Sequence, residues 1–281
     1  MTNGTSFPAS GQFVGTYVPN PSAAQNGGQS TYEGSIAVTV LDRAIVEQVL
    51  PSAFALAQRT DSAATHPVIH LIGHQCDLMY LVDGVPIPTL IPDYREMCLL
   101  VPFVVLSQNA MSPSAKWHNF VVRMYLDDLG AVEAGNTYYA YQKELAALPE
   151  SDAPKIVNWK VLTLLQGDVF TSTVDRTGLW SSPSNASIPG LTDVQTLFAM
   201  PLVGADVDPN GAVTRVICSY WEWDYTNAEV AQATSDHEFL QQFCPGMGGW
   251  IGQPTGPPGA AIEIRGLQWR LARPPLPDCQ F

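Results

Sequence analysis

A mainly β (α+β) fold is predicted by three features of this sequence. β-branched, alternating segments recur along the chain, as in residues 35–41 (SIAVTVL) and 119–126 (NFVVRMYL). Segments with helical period are short and sit at the joints between strands. Strands and helices do not alternate in the rhythm of a parallel doubly wound sheet. The 281 residues are ample for a large core, and neither an internal repeat nor a linker divides them. We therefore expect one domain over residues 31–281. A flexible N-terminal arm, residues 1–30, rich in Gly, Ser, Asn, Pro and Thr, precedes it.

The elements follow in order. Residues 35–41 alternate and read as a strand. Asp42 caps a short helix over 43–50, which Pro51 ends. Residues 67–72 and 78–82 are β-prone. Residues 98–106 (CLLVPFVVL) are continuously apolar, so a strand buried on both faces is expected, with an edge or bulge at Pro102. After the strand at 119–126, Asp127 or Asp128 caps a single helical turn that runs through Glu133 and is closed by Gly135. Residues 137–141 are aromatic and β-prone, which puts Lys143 at or just past a strand end. Later strands are expected at 156–165, 212–223 and 261–271. Short helices are expected at 226–232 and 235–243. Residues 245–259 form a Gly/Pro loop, either a functional cover or a connector.

Composition bounds the function. Hydrophobic residues make up 46% and charged residues 14%, which argues for a packed globule. Lys plus Arg number 13 against 26 Asp plus Glu, a net charge of −13. Such a chain is repelled by phosphate backbones and anionic lipid, so neither nucleic acid nor membrane is expected as a partner. The start of the chain lacks the charge and apolar pattern of a signal peptide. The longest structural apolar run, 98–106, is far too short to span a bilayer. The cysteines (76, 98, 218, 244 and 279) are odd in number and form no CxxC pair. Cys98 and Cys218 read as buried free thiols of a reducing compartment, so a cytoplasmic location is expected.

Phosphate loops (GxGxxG, GxxxxGK) and the GxSxG elbow are absent from the sequence. His66, His70 and His74 are spaced by four. On a strand, such positions lie about 13 Å apart, too far to share a metal ion. No metal is expected, and His70 and His74 are kept as candidate pocket groups. The run 219–225 (SYWEWDY) reads as a strand with one packed and one polar face; a ligand-stacking face is the other reading. Lys143 is the only lysine within residues 121–145 and lies among Tyr138, Tyr139 and Tyr141. Burial there would disfavour its ammonium form and leave a nucleophilic amine. The competing reading is a surface lysine whose stem covers apolar neighbours. Glu96 stands before the most apolar strand, where partial desolvation would suit proton transfer. Its alternative is a solvated strand end paired with Arg95.

Taken together, Tyr94-x-Glu96, Val101-Pro102, Tyr125-Leu126-Asp127, Ala134-Gly135 and Ala140-Tyr141-x-Lys143 resemble the acetoacetate decarboxylase family, best over residues 93–145. The resemblance implies a cone-shaped, mostly antiparallel β-barrel with flanking strands and short helices. It implies that Lys143 forms a Schiff base with a β-keto acid and that Glu96 orients or protonates the intermediate. Tyr94, Arg123, Tyr125, Tyr141, His70 and His74 are then the expected substrate-binding residues. A homo-oligomer without metal or organic cofactor is also implied. Several positions depart from the family pattern. Glu144 replaces a second lysine, and a neighbouring anion favours the ammonium form. Gln142 replaces a proline, and Gly135-Asn136-Thr137 replaces Gly-Arg-Glu. The family's carboxylate-binding arginine falls near Tyr32, and a second pocket glutamate near His70 or Leu71. The active-site motif is thus degraded. The expected activity is a lysine-dependent lyase (decarboxylase, aldolase or dehydratase) acting on a ketone larger and more apolar than acetoacetate, as in natural-product biosynthesis. The alternatives are a non-covalent cyclase or isomerase of a polyketide- or terpenoid-like intermediate, and a non-catalytic ligand-binding protein.

Overall fold

A computed structural model describes residues 6–16, 26–91, 93–185, 187–208, 212–241, 246–251 and 259–272. The chain is dominated by strands. The first part holds β1 (Gly27–Asp42), helix α1 (Arg43–Glu47), β2 (Phe54–Leu56), the long β3 (Thr65–Val82), β4 (Val85–Pro88) and β5 (Tyr94–Leu106). Next come β6 (His118–Leu126), α2 (Leu129–Tyr139), β7 (Lys143–Leu145), β8 (Glu150–Asp152), β9 (Ile156–Thr163) and β10 (Gly167–Arg176). The last part holds α3 (Leu191–Ala199), β11 (Leu202–Val207), β12 (Val213–Asp224), β13 (Glu229–Phe239) and β14 (Gly259–Ala272).

Strand pairing closes on itself. β1 pairs antiparallel with both β3 and β14. The path β3–β5–β6–β11–β12–β14 completes the ring. From β14 the sheet continues outward through β13, β10, β9 and β8. The ring is not wholly antiparallel, because β6 pairs in parallel with β11 and with β7. Two cores result. One contains Ile36, Leu71, Cys98, Leu100, Met124, Leu202 and Ile264. The other contains Ile72, Met97, Leu99, Tyr125, Val203, Trp159 and Phe170. Neighbouring residues of one strand fall into different cores, as the two-residue period of a strand requires. Both faces of the central strands are thereby buried, which is why 98–106 carries no polar alternation.

Several expectations hold. Pro102 sits in a break of register between β5 and β6, with Phe103 at φ 56°. The Asp128 side chain caps α2, accepting from the Ala131 amide at 2.8 Å. The two segments 67–72 and 78–82 are parts of the one strand β3. The arm expected over 1–30 differs: Phe7 and Phe13 are buried, Phe13 stacks on Phe103, and residues 27–30 already belong to β1.

Other expectations are corrected. The helices expected at 226–232 and 235–243 are replaced, within the described residues, by strand β13. Val230, Ala233, Ser235, His237 and Phe239 are buried there, so the true period is two. The polar character of Ser235 and His237 hid that period. Of the strand expected at 137–141, residues 137–139 are the end of α2 and 140–141 the turn after it, and Gly135 lies inside this helix rather than closing it. Cys98 is a free, buried cysteine, but Cys218 is disulfide-bonded, against the free thiol expected for it. In the loop at 245–259, residues Met247–Trp250 form a 3₁₀ turn. Residues 245 and 252–258 of that loop lie outside the described residues. No helix among the described residues is long and apolar enough to cross a membrane.

Candidate active site

β5 points Tyr94, Glu96 and Cys98 to one face because they are two residues apart. β3, antiparallel beside it, sends Leu71 and Gln75 to the same side. β12 contributes Trp221 and Trp223, and β14 contributes Trp269 and Leu271. Tyr141 and Lys143 complete the set from the turn after α2. Together with Met124 they enclose a small inner chamber of about 30 Å³, room for about one water molecule. An outer chamber of about 290 Å³ adjoins it. The two share Tyr94, Lys143, Trp269 and Leu271, so Lys143 stands at their junction.

The turn that delivers Lys143 is tightly built. Ala140 and Gln142 both take left-handed backbone, at φ 53° and 52°, unusual for residues with a Cβ. Gly204 lets β11 pass, since a Cβ there would meet the carbonyl oxygens of Tyr139 and Ala140 at 2.4 and 2.5 Å. Asn136 then clamps the lysine backbone on both sides. Its Oδ1 accepts from the Lys143 amide at 2.6 Å, and its Nδ2 donates to the Lys143 carbonyl at 2.8 Å. The lysine stem crosses Gly135, where an added Cβ would lie 2.1 Å from both Cδ and Cε. Nζ donates to the Ala131 carbonyl at 3.4 Å.

Burial governs the electrostatics. Desolvation pushes the Lys143 amine below its ordinary pKa; the negative charge of Glu96 opposes this, and Cys98 does so to a lesser degree. Lys143 keeps some exposure because it lines the open outer chamber, but its amine end is enclosed. Desolvation likewise pushes Glu96 above the ordinary carboxylate range, opposed by Lys143 and by a hydrogen bond from Gln75. Glu144, expected to hold Lys143 in its charged form, lies on the other face of β7. Its carboxylate meets Arg123 Nη2 at 3.7 Å. The anion next in sequence is therefore not the anion next in space.

Of the expected site residues, the structure brings Lys143, Glu96, Tyr94 and Tyr141 together. The Tyr141 hydroxyl hydrogen-bonds Ser219. The other four do not line either chamber. Arg123 and Tyr125 flank Met124 on β6 and, by the period of two, face away from the chamber that Met124 lines. His70 is buried between His237, Phe170 and Phe239, and its Nε2 meets Thr39 Oγ1 at 3.1 Å. His74 meets Glu150 at 2.9 Å, beside a separate surface cleft. The spacing of four kept all three histidines on one face of β3, and that face is turned away from the site. His66 meets the Pro102 carbonyl at 2.8 Å. Among the described residues no cluster of three metal-ligating side chains occurs.

Sequence reasoning missed Gln75, Ser30 and Trp269. It kept stacking at Trp221 and Trp223 only as a secondary reading. The indole pair at i and i+2 was the available signal, since both members share one strand face. Gln75 carried no signal, because it stands in a polar stretch with His74 and Asp77 and nothing local sets it apart.

No protein-family model matches the chain, and neither does any curated protein. Solved structures do match. Acetoacetate decarboxylase from Legionella pneumophila subsp. pneumophila str. Philadelphia 1 aligns with a TM-score of 0.58 at 12% identity, covering 91% of this chain and 90% of that one. The enduracididine biosynthesis enzyme MppR, complexed with the condensation product of pyruvate and imidazole 4-carboxaldehyde, aligns at 0.55 and 10% identity, covering 94% and 95%. An acetoacetate decarboxylase-like enzyme from Sphingomonas wittichii RW1 aligns at 0.55 and 9% identity, covering 90% and 92%. The chain has the acetoacetate decarboxylase-like fold.

Proposed function

We propose, from the acetoacetate decarboxylase-like fold as premise, that this chain is a lysine-dependent lyase forming a Schiff base between Lys143 and a ketone or β-keto substrate. The observation that carries this reading is the Lys143 amine, desolvated at the junction of two chambers and facing Glu96. A neutral amine adds to a ketone carbonyl and, with uptake of a proton and loss of water, gives an iminium ion. That cation accepts the electron pair released when a bond at the α-carbon breaks, with loss of CO₂, of an aldehyde fragment or of a proton. After loss of a proton, the enamine returns the pair and expels a β-hydroxyl, which leaves as water once protonated. Glu96, whose carboxyl burial pushes above the ordinary carboxylate range, is the group that supplies or takes the proton.

The outer chamber supports a substrate larger and more apolar than acetoacetate. It is lined by Leu78, Leu81, Val82, Ile91, Tyr139 and other apolar groups, and Lys143 is the only charged side chain among its lining residues. Among the described residues, that lining holds no further cation for a substrate carboxylate. That MppR is described with a condensation product of pyruvate and an aldehyde supports carbonyl chemistry on this scaffold. A homo-oligomer is part of the same proposal. The exposed Tyr80, Val82, Val85 and Ile87 of the β3–β4 hairpin are the surface that supports it.

The test is reductive trapping. Incubation with 2-octanone and sodium borohydride should add the reduced ketone to Lys143, located by peptide mass spectrometry, and Lys143→Ala should take up none. A wild-type protein that forms no adduct with methyl ketones of several lengths ends the covalent reading. The indole wall of Trp221, Trp223 and Trp269 favours one second reading, a non-covalent cyclase or isomerase that uses Glu96 as its acid. Turnover that survives Lys143→Ala and fails in Glu96→Gln would select it.

A further inference from the structure

Gln75 holds the inner chamber together through both ends of its amide. Its Oε1 accepts from Ser30 Oγ at 2.8 Å and from Trp269 Nε1 at 2.6 Å. An indole N–H only donates, so the Gln75 atom facing it must be the carbonyl oxygen. That requirement fixes which way round the amide lies. The Nε2 end is thereby directed at Glu96 Oε1, to which it donates. The one Ser30 hydroxyl proton is shared between Gln75 Oε1 and the Cys76 carbonyl, which Oγ meets at 2.9 Å. The three side chains come from β1, β3 and β14, strands that pair along most of their length.

We infer that Gln75 is a positioning residue: locked by Ser30 and Trp269, it occupies Oε1 of Glu96 and leaves Oε2 as the oxygen through which Glu96 exchanges its proton with a bound substrate. A primary amide nitrogen accepts no hydrogen bond, so a proton on Oε1 would face a donor and be repelled. When Glu96 acts as an acid, the Oε2–H proton passes to the substrate atom and the bonding pair stays on the carboxylate. When it acts as a base, Oε2 receives the proton. Gln75 keeps its own protons in both directions, so it touches no reacting atom and acts through Glu96. The inference deepens the lysine-dependent reading, on which it rests for taking the chamber as the place of reaction.

The groups that bear on Glu96 come from four elements: Tyr32 of β1, Gln75 of β3, Tyr94 and Cys98 of β5, and Lys143 of β7. Lys143 and Gln75 favour the carboxylate, and burial opposes them. Removing the Gln75 donor should therefore raise the Glu96 midpoint.

The experiment is a pH titration of the whole protein labelled with ¹³C at glutamate Cδ, with the Glu96 signal identified by its loss in Glu96→Gln. Gln75→Met keeps the length of the side chain and removes the donor. It should raise the Glu96 midpoint by about one pH unit, the shift expected for one hydrogen bond to a carboxylate. Gln75→Glu puts a second carboxyl against the first, so the pair should share a proton and titrate in two separated steps. Trp269→Phe leaves Gln75 in place but frees its amide to turn over, and should also raise the midpoint, by less. This last variant decides the matter if Gln75→Met does not fold. A purely structural glutamine would lower thermal stability in these variants without moving the Glu96 midpoint. An unmoved midpoint in the folded variants overturns the inference. Borohydride trapping of 2-octanone on the wild type is read separately: its failure removes the imine reading and leaves the titration to judge Gln75.

Discussion

Lys143 lies across Gly135 so closely that a methyl group there would meet its Cδ and Cε at 2.1 Å. Gly135→Ala is therefore predicted to push the amine out of the junction. Alanine favours a helix interior over glycine by roughly 0.5–1 kcal/mol, so α2 itself should not suffer. Thermal stability should hold while ketone trapping at Lys143 falls on the order of 100-fold, the scale of a misplacement of about 1 Å. Trapping at the wild-type rate would mean that the stem has another path. A second prediction concerns charge. Glu96 raises the Lys143 pKa against the larger lowering effect of burial. Glu96→Gln removes the raising effect, so the Lys143 midpoint should fall further, which competitive acetylation of Lys143 across pH will measure. A rise would show that the two groups do not sense each other. These residues were legible in the sequence to different degrees. Lys143 stood out as a lone lysine among tyrosines and Glu96 as a carboxylate before an apolar strand, and the family resemblance joined the two. Gln75 did not, because its role depends on Ser30, 45 positions earlier, and Trp269, 194 positions later.

At the scale of the element, the turn between α2 and β7 is what sets the lysine. Asn136 reaches forward seven residues to take both backbone groups of Lys143. Asn136→Ala should destabilise the fold by about 1–2 kcal/mol through two lost hydrogen bonds. It should also speed amide exchange at residues 143–145 more than elsewhere. Uniform protection after the substitution would place the turn's stability in its packing instead. Strand parity is the other lesson at this scale. Residues 70, 72 and 74 of β3 share one face, and 71, 73 and 75 share the other. Spacing in the sequence shows which residues travel together, as it did for His66, His70 and His74. It does not show which face meets the cavity, because residues 66–73 of β3 are buried on both faces. Arg123 and Tyr125 missed the chambers for the same reason. The period of β13 was lost in a different way, through a buried serine and a buried histidine that read as exposed.

Over the whole molecule, buried histidines link the fold to pH. Desolvation lowers His66 to about 3 and His237 and His118 to about 4, and pushes His70 well below its ordinary value. Their folded pKa values lie below the unfolded value near 6.5. Between those limits the unfolded chain binds more protons, so stability is full above about pH 6.5 and falls as the pH drops toward 4. Urea midpoints should decline over that window. His237→Gln should make the decline shallower by about one proton, or ~1.4 kcal/mol per pH unit. An unchanged slope would show that His237 is not a buried neutral group. By itself the sequence determined that the chain is a β-rich globule, and it offered a lysine and a glutamate some fifty positions apart as the candidate pair. Those follow from local composition and from spacing, which burial and backbone period act on directly. Only the tertiary structure decided that β1 joins β14 to close the ring, that Glu144 faces Arg123 rather than Lys143, and that Gln75 and Trp269 meet beneath Glu96. Such contacts depend on which strands pair and in what register, and pairing between distant strands is set by the packing of the whole core, not by any one segment of the chain.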